Sequence, residues 1–468
     1  MWPLTRHRLA RFRRERERRP IEGRLNEPIP LLAHTSPEAP VAYRAGKPVA
    51  AWQFLADIER LAALIPPAAA VLNACADRYR FAVGLAAAFI RERISLLPPT
   101  HTPEVVRQIR AMNPEAICLT DHRHCSIDLP QIMFPDTPAP RILQWRVPLI
   151  PTQRVVADVF TSGSTGLPLP HRKHWGPLVD CVRVTATRLG FDRPGGMTFV
   201  ATVPPQHMYG LETSVLLSLQ TGDAFCAEHP FYPADICSVL AAVPSPRTLV
   251  STPVHLRALL ATNQALPALY AVISATAPLD TALAQQVEQR FGAPLVEIYG
   301  STESGQIASR RPTRSGLWHL YTGVTLHTKA ERVWASGGHI ETAVPLGDYI
   351  ELLDAEHFEL GDRLHDVVNI AGKRNSIAYL NHQLLTIPGV QDGAFFLPQE
   401  SRDSPTGVAR LCALVVAPGL DSATVFQHLR ERIDPVFLPR PLRLVAALPR
   451  NTTGKLSVQI LRSLLEQC

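Results

Sequence analysis

The apolar run Val155 to Phe160 reads as a buried strand, and it runs straight into Thr161-Ser162-Gly163-Ser164-Thr165-Gly166. A loop of small, hydroxylated and glycine residues can turn sharply and let its backbone approach a ligand closely. Its N–H groups and hydroxyls suit a polyphosphate. They also suit an ordinary Ser/Gly turn, and the Gly-Lys-Ser/Thr ending of a Walker-type loop is missing. The neighbouring segments decide between the two.

Upstream, Trp52 to Ile65 carries its apolar residues on one helical face. Short strands are expected at Val71–Leu72, Ser95–Leu97 and Ala116–Leu119, with helices at Arg78–Arg91 and Pro103–Met112 between them. Residues 126–150 are Pro-rich and irregular. Beyond the loop, strand-like runs return at Thr198–Val203, Thr248–Val250, Ala271–Ile273 and Leu295–Ile298. Such alternation predicts an α/β fold of sheets covered by helices. Three polar segments follow strand ends: Thr161–Gly166, Ser274-Ala275-Thr276-Ala277-Pro278 and Tyr299-Gly300-Ser301-Thr302-Glu303. Open α/β sheets bind ligands outside the carboxyl ends of their strands, so these segments are expected to line one crevice.

From Gly316 to about Phe358 the helical period fades, and alternation at Trp318, Leu320, Val324 and Leu326 predicts a small β subdomain. The basic, polar stretch Gly372-Lys373-Arg374-Asn375-Ser376 is the expected domain break. The expected division is a basic tail over 1–28, a large domain over 29–374, and a small α+β domain over 375–468. The small domain ends in the turn-rich Leu448 to Leu456 and a last helix through Leu461 and Leu465.

Charge argues against a nucleic-acid partner. The 468 residues carry a net +6, but residues 1–24 hold nine Arg against three Glu, and the remainder balances at 38 basic and 38 acidic residues. The tail lacks the apolar core of a secretory signal, and no run approaches 18 apolar residues; a soluble, cytoplasmic protein is expected. Eight scattered cysteines without a C-x-x-C pair fit reduced thiols. The cluster Cys118, Asp121, His122, His124 and Cys125 has no second ligand pair at zinc-site spacing, and a strand end with a polar loop is the better reading.

In this order the motifs resemble the adenylate-forming superfamily of acyl- and aryl-CoA synthetases, peptide-synthetase adenylation domains and luciferases. Thr161–Gly166 is similar to its phosphate loop, and Pro204-Pro205-Gln206-His207-Met208-Tyr209-Gly210 to its acid-pocket motif. Tyr299 to Glu303 resembles its adenine and magnesium motif, Gly361-Asp362 its ribose turn, and Pro449 to Lys455 its C-terminal lysine loop. The resemblance spans roughly residues 30–465. The short length, the Gly372–Ser376 junction and the run from Tyr379-Leu380-Asn381 to Pro388-Gly389-Val390 look most like one branch, the ligases of aryl-polyene and xanthomonadin-type pigment clusters. These load an aromatic acid onto an acyl carrier protein.

The resemblance implies ATP and Mg²⁺, a small carboxylic acid, and a phosphopantetheine thiol on an acyl carrier protein or on free coenzyme A. It implies that Thr161, Ser162, Gly163, Ser164, Thr165 and Gly166 hold pyrophosphate. It places Ala275, Thr276, Ala277, Tyr299, Gly300, Ser301, Thr302, Asp362 and Lys373 around the nucleotide, with Glu303 on the metal. Lys455 bridges carboxylate and α-phosphate, and His207 walls the acid pocket. Two departures stand out. Pro168-Leu169-Pro170-His171 replaces the lysine usual soon after the phosphate loop, with Lys173 later, and the segment after the junction is shorter than usual. No Asp occurs in Pro204–Gly210 to hold an α-amine, which favours an acid without one.

Overall fold

The computed structural model describes residues 27–67, 70–137, 139–141, 144–162, 168–192, 196–262, 264–277, 279–330, 332–363, 367–370, 373–397, 411–433, 435–450 and 456–467. Residues 1–26 of the expected basic tail and the loop residues Gly163, Ser164, Thr165, Gly166 and Lys455 lie outside them, as do Pro278 and Gly372. The side chains of Ser162, Asp362 and Lys373 are likewise not described.

By contacts the chain divides into two units, residues 1–326 with 335–344, and residues 327–334 with 345–468. The first contains two helix-covered sheets. One has six strands in the order 168–174, 155–162, 95–97, 71–73, 117–120 and 131–133. Its strands pair in parallel, except that 168–174 runs antiparallel at the edge. The second is parallel through 295–301, 271–274, 247–251, 198–201, 224–226 and 40–44. Antiparallel strands 305–310, 318–320 and 47–50 flank that core.

The apolar patterns explain the layers. In Ala51–Leu64 the side chains of Phe54, Leu55, Ile58 and Leu61 are buried. Arg78–Ile90, N-capped by Asp77 accepting from Arg80 N, buries nearly its whole length through Phe81, Leu85 and Phe89. A helix apolar all round belongs inside, and this one joins the main core with Val71, Val156 and Phe199. The expected elements upstream of the phosphate loop are present within one or two residues.

Two strands run further than their apolar pattern suggests. The strand from Val155 continues through Ser162 and pairs antiparallel with Pro168–His174, the strand that follows the phosphate loop in sequence. The strand from Leu295 continues through Ser301 and pairs back with Gly305–Arg310. In both, ladder hydrogen bonds extend strand structure into polar residues that carry no apolar signal. The Cys118 to Cys125 cluster is a strand-end loop, as expected. Asp121 accepts from the backbone N of Ala76 and Asp77 at 3.0 Å each, and the Cys118 and Cys125 sulfurs lie 3.9 Å apart. Among the described residues no group of three or more His, Cys, Asp or Glu is placed to hold a metal by itself.

The region expected to be a β subdomain forms successive strands from Trp318 to Arg363. In the second unit, strands 348–352 and 357–363 pair antiparallel. Lys373–Ser376, within the stretch expected as the domain break, is a strand paired with Val367–Ile370, and helix Ile377–Leu385 follows it directly. A sheet of strands 392–396, 412–416 and 442–444 packs Phe395 and Val415 with Leu380, Leu384 and Leu429 from neighbouring helices. No helix among the described residues is long and apolar enough to cross a membrane.

Candidate active site

The strand pair flanking the phosphate loop sets the first part of the site. Leu169 stands opposite Thr161, and Lys173 opposite Ala157. Side chains alternate across a strand, so His171 and Lys173 share one face while Arg172 takes the other and meets Asp158 at 3.4 Å. His171 Nε2 lies 2.8 Å from Thr161 Oγ1, a diagonal contact across the strand pair, and 3.5 Å from Glu303 Oε1. Burial lowers the His171 pKa, against the opposing pull of Glu303.

Glu303 sits at the tip of the second hairpin, with its side chain 40% exposed. Ser301 N donates to Ser304 Oγ and Ser304 N donates to Ser301 Oγ, each at 3.2 Å, which closes the turn on itself. Gly300 is required here, because a Cβ would lie 2.1 Å from the carbonyl oxygen of Gly305. Lys173 Nζ donates to the carbonyls of Thr302 at 2.5 Å and Glu303 at 3.2 Å. His339 Nε2 donates to the next carbonyl, Ser304, at 3.2 Å. Three successive carbonyls of the tip are thus held by side chains.

A polar core lies behind this turn. Glu212 is buried and accepts from the Cys181 thiol at 3.3 Å. Burial pushes its carboxyl up to about 7, with Cys181, Lys173 and Gln306 opposing that rise. Lys173 is itself buried, which lowers its pKa, and Glu212 is the strongest influence holding its charge. Tyr299, half-buried, leans on Trp318 at 5.5 Å between ring centres, and the Arg310 guanidinium lies 4.7 Å from the Trp318 ring.

A second group gathers at the carboxyl ends of the central strands. Arg78, fully buried, donates to the carbonyls of Ala201 at 3.0 Å, Val203 at 2.7 Å, Cys226 at 3.2 Å and Glu228 at 3.0 Å. It ties two strand ends together and stays charged, with burial lowering its pKa only to about 10. Thr202, just past one of those ends, gathers two histidines. His229 Nε2 donates to its carbonyl at 2.9 Å, and His255 Nδ1 lies 3.2 Å from its hydroxyl. Burial first, then the Arg78 charge, lower His229 to about 4, and His255 and His207 add to the shift. His229 is therefore neutral near pH 7, and burial lowers the His255 pKa as well. Phe231 meets His255 edge-on at 5.1 Å.

His207 precedes a helix, residues 208–221, whose middle turn Leu211–Leu216 is a π-helix. Such wide turns collect at functional sites. Tyr209 Oη lies 3.0 Å from the Ser251 carbonyl and 3.1 Å from that of Ile273. The next loop holds Ala275, Thr276 and Ala277. Thr276 has φ +79°, costly for a β-branched residue, and its buried hydroxyl has no hydrogen-bond partner among the described residues.

Of the residues singled out from sequence, Thr161 and Glu303 are joined through His171, and Tyr299, Gly300, Ser301 and Thr302 share the Glu303 hairpin. His207 belongs to the histidine group, while Ala275–Ala277 end the strand between 247–251 and 295–301. His229, His255, Glu212 and His339 went unrecognised in the sequence. The first two lie beyond strands 224–226 and 247–251, so the strand-end rule applied to every histidine finds them.

Comparison with known proteins gives the family. The family described as AMP-binding enzyme matches residues 106–363. A 4-coumarate–CoA ligase of Halorhodospira halophila is 30% identical over 307 residues, covering 63% of this chain and 73% of that protein. A 4-coumarate–CoA ligase of Rhodobacter capsulatus is 27% identical, covering 67% and 78%. Among solved structures, o-succinylbenzoate CoA synthetase from Bacillus subtilis with its acyl-adenylate intermediate shares the fold, with TM-score 0.77 at 17% identity over 93% of this chain and 96% of that one. The family match covers more than half the sequence, and the chain belongs to the AMP-binding enzymes, as an AMP-forming acid–thiol ligase of the adenylate-forming superfamily.

Proposed function

We propose that this ligase activates an aromatic carboxylic acid with ATP and passes the acyl group to a phosphopantetheine thiol. The observation that carries the reading is the His171 link between Thr161, at the mouth of the phosphate loop, and Glu303. It brings a polyphosphate-type loop and a half-exposed carboxylate to one place at the strand ends.

A carboxylate is a poor electrophile for a thiol. In the first step its oxygen attacks the α-phosphorus of ATP, the bond to the β-phosphate oxygen breaks, and pyrophosphate leaves. In the second step the thiolate attacks the acyl carbon and AMP leaves. The phosphate loop and Thr161 hold the pyrophosphate portion, Tyr299 and Ala275–Ala277 border the nucleotide, and Asp362 and Lys373 complete the nucleotide site. Glu303 fits Mg²⁺, because that cation is held by one or two carboxylates and completes its shell with phosphate oxygens and water. When bound it offsets negative charge on the phosphates. Lys455, from the small domain over 375–468, stabilises charge at the α-phosphate, and rotation at the 372–376 junction lets the thiol approach.

Support for an aromatic acid comes from neutral His229 and buried His255 around Thr202, from Tyr209, and from relatives named 4-coumarate–CoA ligases. The same relatives favour free coenzyme A as acceptor. A carrier protein is the second reading, favoured by the motif-level resemblance to the pigment-cluster ligases. The test is pyrophosphate release from a panel of acids, followed by competition between coenzyme A and a phosphopantetheinylated carrier for the adenylate. Hydroxybenzoates and hydroxycinnamates are expected to release pyrophosphate; release by long-chain fatty acids alone refutes the aromatic reading.

A further inference from the structure

The tip that presents Glu303 is exposed, and water can satisfy carbonyls at such a place. The chain instead brings a buried lysine to two of them. Burying an ammonium is costly unless it is paired and hydrogen-bonded. Lys173 is hydrogen-bonded, its amine donating to the Thr302 and Glu303 carbonyls, and the buried Glu212 is close enough to favour its charge. The strand that carries it also carries His171, two residues earlier on the same face, and leads directly from the phosphate loop. Any shift of that strand therefore moves the anchor of the Glu303 turn.

We propose that Lys173 is a positioning residue that fixes the Glu303 carboxylate relative to the phosphate loop for Mg²⁺-nucleotide binding. Its amine points at backbone carbonyls, so it acts through the turn and not on a phosphate. This rests on the reading of Glu303 as the metal-binding carboxylate. Groups that orient a metal ligand from behind typically govern metal affinity by about 10–100-fold.

The test uses the full chain and reads binding as well as rate. ATP affinity is measured by titration calorimetry with and without Mg²⁺, and the Mg²⁺ concentration for half-maximal pyrophosphate release is measured alongside. Lys173→Met is expected to lose about 10-fold or more of the Mg²⁺-dependent gain in ATP affinity and to raise the half-saturating Mg²⁺ similarly. Affinity for ATP in EDTA and KM for the acid are expected to stay within about twofold. Lys173→Arg, which keeps charge and donors, is expected to recover most of the loss.

Lys173→Met takes a positive charge from near Glu212 and risks misfolding, so Lys173→Met with Glu212→Gln removes both charges together. That double variant is expected to unfold near the wild-type temperature and to show the same Mg²⁺ defect. Folded protein with wild-type Mg²⁺ dependence overturns the inference. Glu303→Gln separates the two failures. Loss of Mg²⁺ dependence there, beside wild-type behaviour in the lysine variants, refutes the role of Lys173 alone. Wild-type Mg²⁺ dependence in Glu303→Gln refutes the site reading and the inference with it.

Discussion

His171 Nε2 lies 2.8 Å from Thr161 Oγ1, so the strand leaving the phosphate loop is pinned by a side-chain hydrogen bond to the strand entering it. The loop is thereby closed at its base, and the same imidazole reaches toward Glu303. Fixing the two flanking strands to each other before a phosphate arrives lowers the ordering cost of binding.

Removing that imidazole should therefore act on nucleotide binding first. A hydrogen bond of this kind is worth about 1 kcal/mol. His171→Ala is expected to raise KM for ATP by roughly 5- to 10-fold, with KM for the acid nearly unchanged. Steady-state kinetics with each substrate varied in turn checks it, and an equal rise in both KM values argues for general disorder of the site.

Glu303→Gln replaces a hard anionic ligand by a neutral amide that binds Mg²⁺ weakly. Adenylation is expected to fall by about 10²–10³-fold, comparable to losing one preorganised charge contact in a transition state. Pyrophosphate release at ordinary Mg²⁺ is the measurement. A wild-type rate removes Glu303 from the metal site.

Lys455 should serve one half-reaction only. A cation at the α-phosphate helps expel pyrophosphate, whereas the thiol step needs that space free. Lys455→Ala is expected to lose adenylation by about 10²–10³-fold. It should still transfer the acyl group from preformed adenylate to the thiol at near wild-type rate. Two single-turnover assays on one variant decide it; parallel loss in both, or loss in neither, contradicts the division of labour.

Glu212 makes stability depend on pH. Its carboxyl is raised from 4.5 to about 7 by burial, with Cys181, Lys173 and Gln306 facing it and Tyr321 close enough to sense its charge. A raised carboxyl favours the folded state below its unfolded value, and that contribution disappears as pH rises through about 7. Glu212→Gln mimics the protonated form. Its unfolding free energy is expected to match wild type near pH 5 and to exceed it above pH 8, by a gap on the order of 3 kcal/mol at full ionisation. Denaturant titrations at the two pH values test this, and a constant difference across the range refutes it.

The alternation of apolar runs and turn residues was sufficient by itself to give the helix-covered sheets, because burial of apolar faces is a local pattern written at periods of 2 and 3.6. Val71, Val155, Thr198 and Leu295 all begin strands as the pattern indicates. The short polar motifs singled out Glu303, Thr161 and His207 as candidates, since strand-end loops with hydroxyls and glycine are readable one at a time. Contacts between residues far apart in sequence were not readable. Lys173 meets Glu303 across 130 positions, and Arg78 reaches Val203 across 125. Hairpin pairing carried strands into Ser162, Ser301 and Lys373–Ser376, where side-chain pattern gives no signal and backbone hydrogen bonds alone set the outcome. Burial then set the charges: a carboxyl near 7 at Glu212 and a neutral imidazole at His229 follow from desolvation, which depends on what the rest of the chain packs around them and on nothing in their own sequence neighbourhood.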